Sequence, residues 1–144
     1  MKIKNLIVVT FGSIGSLLSF LLGGFDSVMI ALLIFMVIDF LSGLILAIVF
    51  KKSKKTESGR LSSQAGILGL TKKIFILFLV AVSTQLDIIL GTTFIRDGTV
   101  IGFISMEGIS IIENASLAGL PIPKVIKNAL EIISKKEKDK DKDE

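Results

Sequence analysis

Polar and apolar residues do not alternate along most of this chain; apolar residues come in runs. From Asn5 to Phe25, NLIVVTFGSIGSLLSFLLGGF, no side chain is charged, and Lys2 and Lys4 precede the run. A second run, Ser27 to Phe50, follows after little more than Asp26, so the two predict a helical hairpin. A third covers Ile74 to Ile95. Each has the roughly 20 residues that an α-helix needs to cross a hydrocarbon core. The first has the basic start of a signal peptide but no small-residue cleavage pattern, and is expected to stay as a helix.

Two stretches break the pattern. Residues 51–73, KKSKKTESGRLSSQAGILGLTKK, hold seven Lys/Arg against one acid and predict a basic loop. Short loops of this bias remain in the cytoplasm, which also puts the N-terminus there and Asp26 outside. Residues 99–118 are long enough to span but carry Glu107, Glu113 and Asn114 together with Ser105, Ser110 and Ser116. Two acids in lipid cost roughly 5–6 kcal/mol, which cancels most of the apolar gain. This fourth element therefore either lies amphipathically in the interface or crosses with its polar arc turned to protein or water. Gly119 can cap it, and Pro121 and Pro123 stop its continuation. Lys124 to Lys136 then places Ile126, Ala129, Leu130 and Ile133 on one face of a short amphipathic helix. The tail KKEKDKDKDE has nothing to bury and is expected to be disordered.

The expected fold is thus an all-α integral membrane protein. It has three transmembrane helices (about 5–25, 27–50 and 74–95), a fourth amphipathic or membrane-crossing helix at 99–118, and a short C-terminal helix. Residues 1–123 form the membrane domain, broken by the 51–73 loop, and residues 124–144 form the amphipathic helix and charged tail.

Composition narrows the chemistry. The 144 residues have a mean hydropathy of +0.77 and contain neither Cys nor His. Disulfides, Cys/His metal sites, thiol nucleophiles and a histidine base are excluded. No phosphate-binding glycine loop or serine elbow is present. An enzyme is not expected, nor a metal or cofactor. The +4 net charge is segregated into loops and ends, which suits orientation and attraction to anionic lipid. With no Trp or Tyr and all Phe in apolar runs, nucleic-acid binding is not expected.

The candidate functional residues are polar groups inside apolar helices. Asp39 sits near the middle of the second run, where a lone carboxylate costs roughly 3 kcal/mol; Gly43 and Ala47 follow it on the same face. Ser83, Asp87 and Gly91 repeat the arrangement in the third run. In the first, Gly12, Gly15, Ser16, Ser19 and Gly23 form a stripe that suits close helix packing. On a helical wheel Glu107, Ser110 and Asn114 cluster, with Glu113 beside them. The residues leave two readings open: acids hydrogen-bonded inside a static bundle, or a face that becomes wet on assembly.

The motifs resemble the toxin-secretion/phage-lysis holin family. The resemblance rests on LLGGFDSVMIALLIFMVIDFLSGLILAI (21–48), LSSQAGILGLTKKI (61–74), LD at 86–87, FIRDG (94–98) and EGISIIENASLAGLPIPKVIKNALE (107–131). The run from Glu107 to Asn114 and that from Gly119 to Pro123 are its most specific parts. The resemblance implies a homo-oligomer of the bacterial cytoplasmic membrane whose lesions release an endolysin, or in some relatives a toxin, without necessary direct contact. Asp39, Asp87, Glu107, Glu113 and Asn114 are then expected to line a lumen or polar seam. A second start codon, used by many holins for an inhibitor, is not visible, because the next Met after Met1 is Met29 inside the second run. The competing classes are a small multi-helix transporter, although its first helix lacks an ionisable residue, and an antiholin that blocks a partner holin.

Overall fold

A computed structural model describes residues 2–140, with side-chain surroundings through residue 135. Among the described residues the chain is helical without strands: α1 (Lys2–Leu22), α2 (Ser27–Ile45, extended by a π-helical turn, Leu46–Phe50), α3 (Ser63–Leu90), α4 (Ile95–Leu117) and α5 (Lys124–Lys140). The first four are long and apolar enough to cross a membrane. Helices suit that setting because every backbone N–H and C=O must find its partner within the segment.

Local signals set the ends. Asp26 caps α2 by accepting the Met29 amide at 2.9 Å, and Ser62 caps α3 through the Ala65 amide. The π turn stops at Lys51, which takes a left-handed φ of 53°. The Lys51 carbonyl lies where a Cβ on Gly59 would sit, so the loop can fold back here only over a glycine. The Ser53 amide then bonds the Gly59 carbonyl at 2.9 Å. After α4, the prolines at 121 and 123 interrupt the chain before α5.

Several boundaries differ from the sequence expectation: the first helix ends at Leu22 rather than Phe25, the third ends at Leu90, and Ile95 opens the fourth. The basic stretch is loop only as far as Ser62, and α3 begins about ten residues before the apolar run, carrying Lys72 and Lys73 within it. Hydropathy marks where lipid begins, whereas capping marks where a helix begins, and the two need not coincide. At the other end, Lys135–Lys140 continue α5 as helix where the charged tail was expected to be disordered; residues 141–144 lie outside the described residues.

The most polar of the four long helices is also the most enclosed. α4 packs along α2 and against α3 and α5, while α1 packs mainly against α3. The core joins Met29, Leu32 and Met36 of α2, Val80 of α3, and Val100 and Ile104 of α4. Gly108 lets α4 approach Phe35 and Leu130: a Cβ there would come within 3.1 Å of the Phe35 ring and 2.6 Å of a Leu130 methyl. The first dozen residues of α1 are exposed throughout.

Candidate functional site, a buried charge cluster

The three helices α2, α3 and α4 meet at a set of charged side chains. Asp39 comes from α2, Lys73 from α3 and Glu107 from α4. Lys73 Nζ donates to Asp39 Oδ2 at 2.8 Å and to Glu107 Oε2. Side-chain exposure is 12% for Lys73, 6% for Asp39 and 9% for Glu107. One ammonium therefore serves two carboxylates, and with all three ionised the cluster holds an excess negative charge. Asp39 lies 13 residues past the Asp26 cap, about 20 Å along α2 at about 1.5 Å per residue, well inside the apolar length of the bundle.

Polar neighbours from α4 complete the site. The Ser110 hydroxyl donates to Asp39 Oδ1. The Asn114 amide donates to Ser42 Oγ at 2.9 Å and approaches Asp39 Oδ1 at 3.5 Å. Glu107, Ser110 and Asn114 follow one another at steps of three and four, so a single stripe of α4 faces Asp39. Burying a carboxylate is costly unless it is paired and hydrogen-bonded, and here both conditions are met within one chain. No group of acids that could hold a metal ion occurs among the described residues.

A second cluster lies at the opposite end of the bundle. Arg96, 6% exposed, bridges the α1–α2 turn and the start of α4. Its guanidinium donates to Asp26 at 2.6 and 3.2 Å, to Asp97 at 2.9 Å, and to the carbonyls of Leu22 and Gly24 at 3.1 Å each. That guanidinium holds the Asp26 carboxyl below its ordinary range, and the Met29 amide adds to the effect. Asp87 accepts the backbone amides of Ile95 at 3.1 Å and Arg96 at 2.8 Å, and the Thr92 hydroxyl at 2.5 Å. It thereby caps α4 from the end of α3, where the helix dipole favours a negative group.

The candidate residues thus separate. Asp39, Glu107 and Asn114 come together. Asp87 belongs to the opposite end. Glu113 points outward and pairs with Lys54 of the loop at 3.1 Å, both more than half exposed. Gly43 faces the Asn114 amide, Ala47 is buried, and Gly91 ends α3 with a left-handed φ of 68°. Of the α1 stripe, Gly23 abuts Arg96 and Thr84, Ser19 is half-buried, and Ser16 is exposed. Among the described residues nothing lies within 4 Å of the Cβ positions of Gly12 and Gly15.

Sequence reasoning missed Lys73 and Arg96. Lys73 was hidden in a basic run, yet the inward-facing stripe of α3 leads to it. Stepping back from Asp87 through Ser83 or Thr84 and Val80 at helical spacing reaches Lys73 and then Gly69. Arg96 could have been matched to Asp26, since the α1–α2 and α3–α4 turns of an up-and-down bundle share one end.

Comparison with known proteins agrees with this architecture. The bacteriophage holin family matches residues 16–135. An uncharacterized protein of Listeria monocytogenes is 36% identical over 133 residues, covering 90% of this chain and 89% of the relative. An uncharacterized 14.9 kDa protein in the nagH 3′ region of Clostridium perfringens is 37% identical over 126 residues, covering 86% and 89%. An uncharacterized protein of Listeria innocua is 37% identical over 128 residues, covering 88% and 86%. No solved structure matches the chain. With four helices long and apolar enough to cross and the family matched over most of its length, the chain is a multi-pass membrane protein that belongs to the bacteriophage holin family.

Proposed function

We propose that this protein is a lesion-forming holin. It accumulates in the bacterial cytoplasmic membrane, with its N-terminus and basic loop in the cytoplasm, then self-associates into holes through which an endolysin or a toxin passes. It catalyses no reaction. The observation that carries the proposal is the Asp39–Lys73–Glu107 cluster. In the single chain these charges are satisfied among three helices, so the closed bundle can reside in lipid. The same three helices would present a charged, wettable seam if they parted, and a hole through a membrane needs such a lining.

Two further features support this reading. The excess carboxylate makes the closed state sensitive to field, since moving one charge across the membrane changes its energy by ~2.3 kcal/mol per 100 mV. The open face of α1 around Gly12 and Gly15 suits close approach by another helix, because packing of small residues drives association in lipid.

Induced expression in a bacterium, with and without a cytoplasmic endolysin, tests the proposal by following turbidity and membrane potential. Abrupt arrest with depolarisation, and lysis only with endolysin present, is the expected result. Depolarisation without endolysin release would restrict the function to small pores. Absence of arrest at high membrane levels would reject lesion formation and leave an antiholin or a transporter.

A further inference from the structure

One cation of the basic loop points into the bundle. The Lys55 ammonium lies 3.9 Å from the Cβ positions of both Gly43 on α2 and Gly69 on α3. A Cβ at either glycine would just touch it, so a larger side chain there would displace it. Gly43 lies about 10 Å inside the end of the π turn at Phe50, at ~1.5 Å per residue. The loop folds tightly enough to aim this side chain. The Lys55 amide donates to Ser53 Oγ at 3.2 Å, the Ser53 amide bonds the Gly59 carbonyl at 2.9 Å, and the Thr56 hydroxyl donates to the Arg60 carbonyl at 2.8 Å.

That direction runs against the ordinary behaviour of a lysine near the end of a membrane helix, which carries its ammonium away from the apolar interior. No salt bridge holds Lys55 among the described residues, whereas the neighbouring Lys54 is taken by Glu113. The space of about 40 Å³ beside Lys55 has room for a few waters only. The attraction therefore comes from further in. Gly43 is one helical turn from Asp39, and Gly69 one turn from Lys73, so the ammonium sits next to the cluster in which one lysine serves two carboxylates. Lys73 and Ser110 already bond the two Asp39 oxygens, and Lys55 acts on the surplus charge across the gap rather than by contact. Charges set this far into a bundle are screened much less than exposed ones.

We infer that Lys55 is the balancing cation of the buried cluster: the basic loop seats its ammonium one turn from Asp39 and Lys73, where it offsets the surplus carboxylate and latches the loop to the closed bundle. The side chain is long and flexible, so it withdraws to water when there is no surplus to meet. The seat itself does not depend on lesion formation. The part of Lys55 in triggering does rest on that reading.

Brief acetylation of the full chain in lipid nanodiscs by a water-soluble reagent, read lysine by lysine by mass spectrometry, tests the seat. Lys55 should react roughly tenfold more slowly than Lys52 of the same loop, the factor that about 1.4 kcal/mol of seating free energy gives. D39N and E107Q each remove the surplus charge, and each should bring Lys55 to the rate of Lys52 while leaving Lys54 unchanged. G69L should free Lys55 with both carboxylates intact. Equal rates for Lys55 and Lys52 in the wild type would overturn the seat. Protection that survives both D39N and E107Q would overturn charge balance as its cause. In the induction assay K55Q should shorten the time to depolarisation, by less than K73Q because Lys55 bonds neither carboxylate directly. Unchanged timing in K55Q would overturn the latch. Should the chain form no lesions at all, the labelling still decides whether Lys55 is the balancing cation.

Discussion

Replacing Lys73 by glutamine removes the one cation that two buried carboxylates share. Breaking a buried ion pair by deleting one partner costs about 3–5 kcal/mol, because the remaining charge is left uncompensated. The low exposure of all three side chains puts this site in that class. The two pairs are not additive, since both depend on the same ammonium, and a carboxylate can relieve its isolation by taking up a proton. Even about 3 kcal/mol corresponds to roughly a hundredfold change in the equilibrium between the closed bundle and a state that wets Asp39 and Glu107. K73Q is therefore expected to trigger earlier.

E107Q acts in the opposite direction. It leaves Lys73 paired one-to-one with Asp39 and removes the excess charge, so the closed bundle gains and triggering is delayed. The assay is the time from induction to depolarisation, at membrane levels matched by immunoblot. The double variant K73Q/E107Q should fall between the two. A shift of both single variants in the same direction, or of neither, would overturn a closed state held by one shared cation. Should K73Q fail to accumulate, the delay expected for E107Q still decides.

Glu113 provides the contrast: its pair with Lys54 is exposed, such pairs contribute about 0–1 kcal/mol, and E113Q should leave the trigger time within the scatter of wild type. Asp26 sets a pH dependence at the other end of the bundle. Its carboxyl is held below its ordinary value of 3.8, so its contribution is present above that value and lost as pH falls through the lower folded value. The hydrogen-exchange protection of the Met29 amide should accordingly stay level from neutral pH to about 4 and fall below it, and D26N should be less protected throughout; a fall already near pH 6 would assign the effect elsewhere. At Gly59 a Cβ would lie 2.1 Å from the Lys51 carbonyl, so G59A should disorder the basic loop and expose it to trypsin, which cuts at its lysines. G108L should reduce thermal stability in detergent by displacing Phe35 and Leu130, whereas G66A, in open space, should not.

Periodicity and run length located the helices because lipid demands long apolar segments, and the stripe of Glu107, Ser110 and Asn114 was legible because helical spacing sets which residues share a face. The partners of the acids were not legible in the same way. Lys73 reads as loop when charge alone marks the boundary, and only its cap at Ser62 reveals that α3 is already under way. Asp87 resembled Asp39 in its setting of small residues, yet it lies three residues before the end of α3, where the nearest unsatisfied groups are the first amides of α4. What a buried acid does thus depends less on its own surroundings in sequence than on which helix end or cation the topology brings beside it.

Topology likewise accounts for the fourth helix, which hydropathy left between crossing and lying in the interface. Its first turn is tied to the α1–α2 turn through Arg96 and Asp26, and its last turns reach the α2–α3 loop through Glu113 and Lys54. Those two connections lie at opposite ends of α2, so α4 runs the full length of the bundle. Its acids then need no lipid-facing position. Glu107 meets Lys73 on the inside and Glu113 meets Lys54 at the end, and the penalty that made the segment look unfit to cross applies only to charges without partners. Because α4 supplies Glu107 to Lys73 and Ser110 and Asn114 to Asp39, and packs along α2, it is the helix whose displacement would expose the buried charges on the function proposed above.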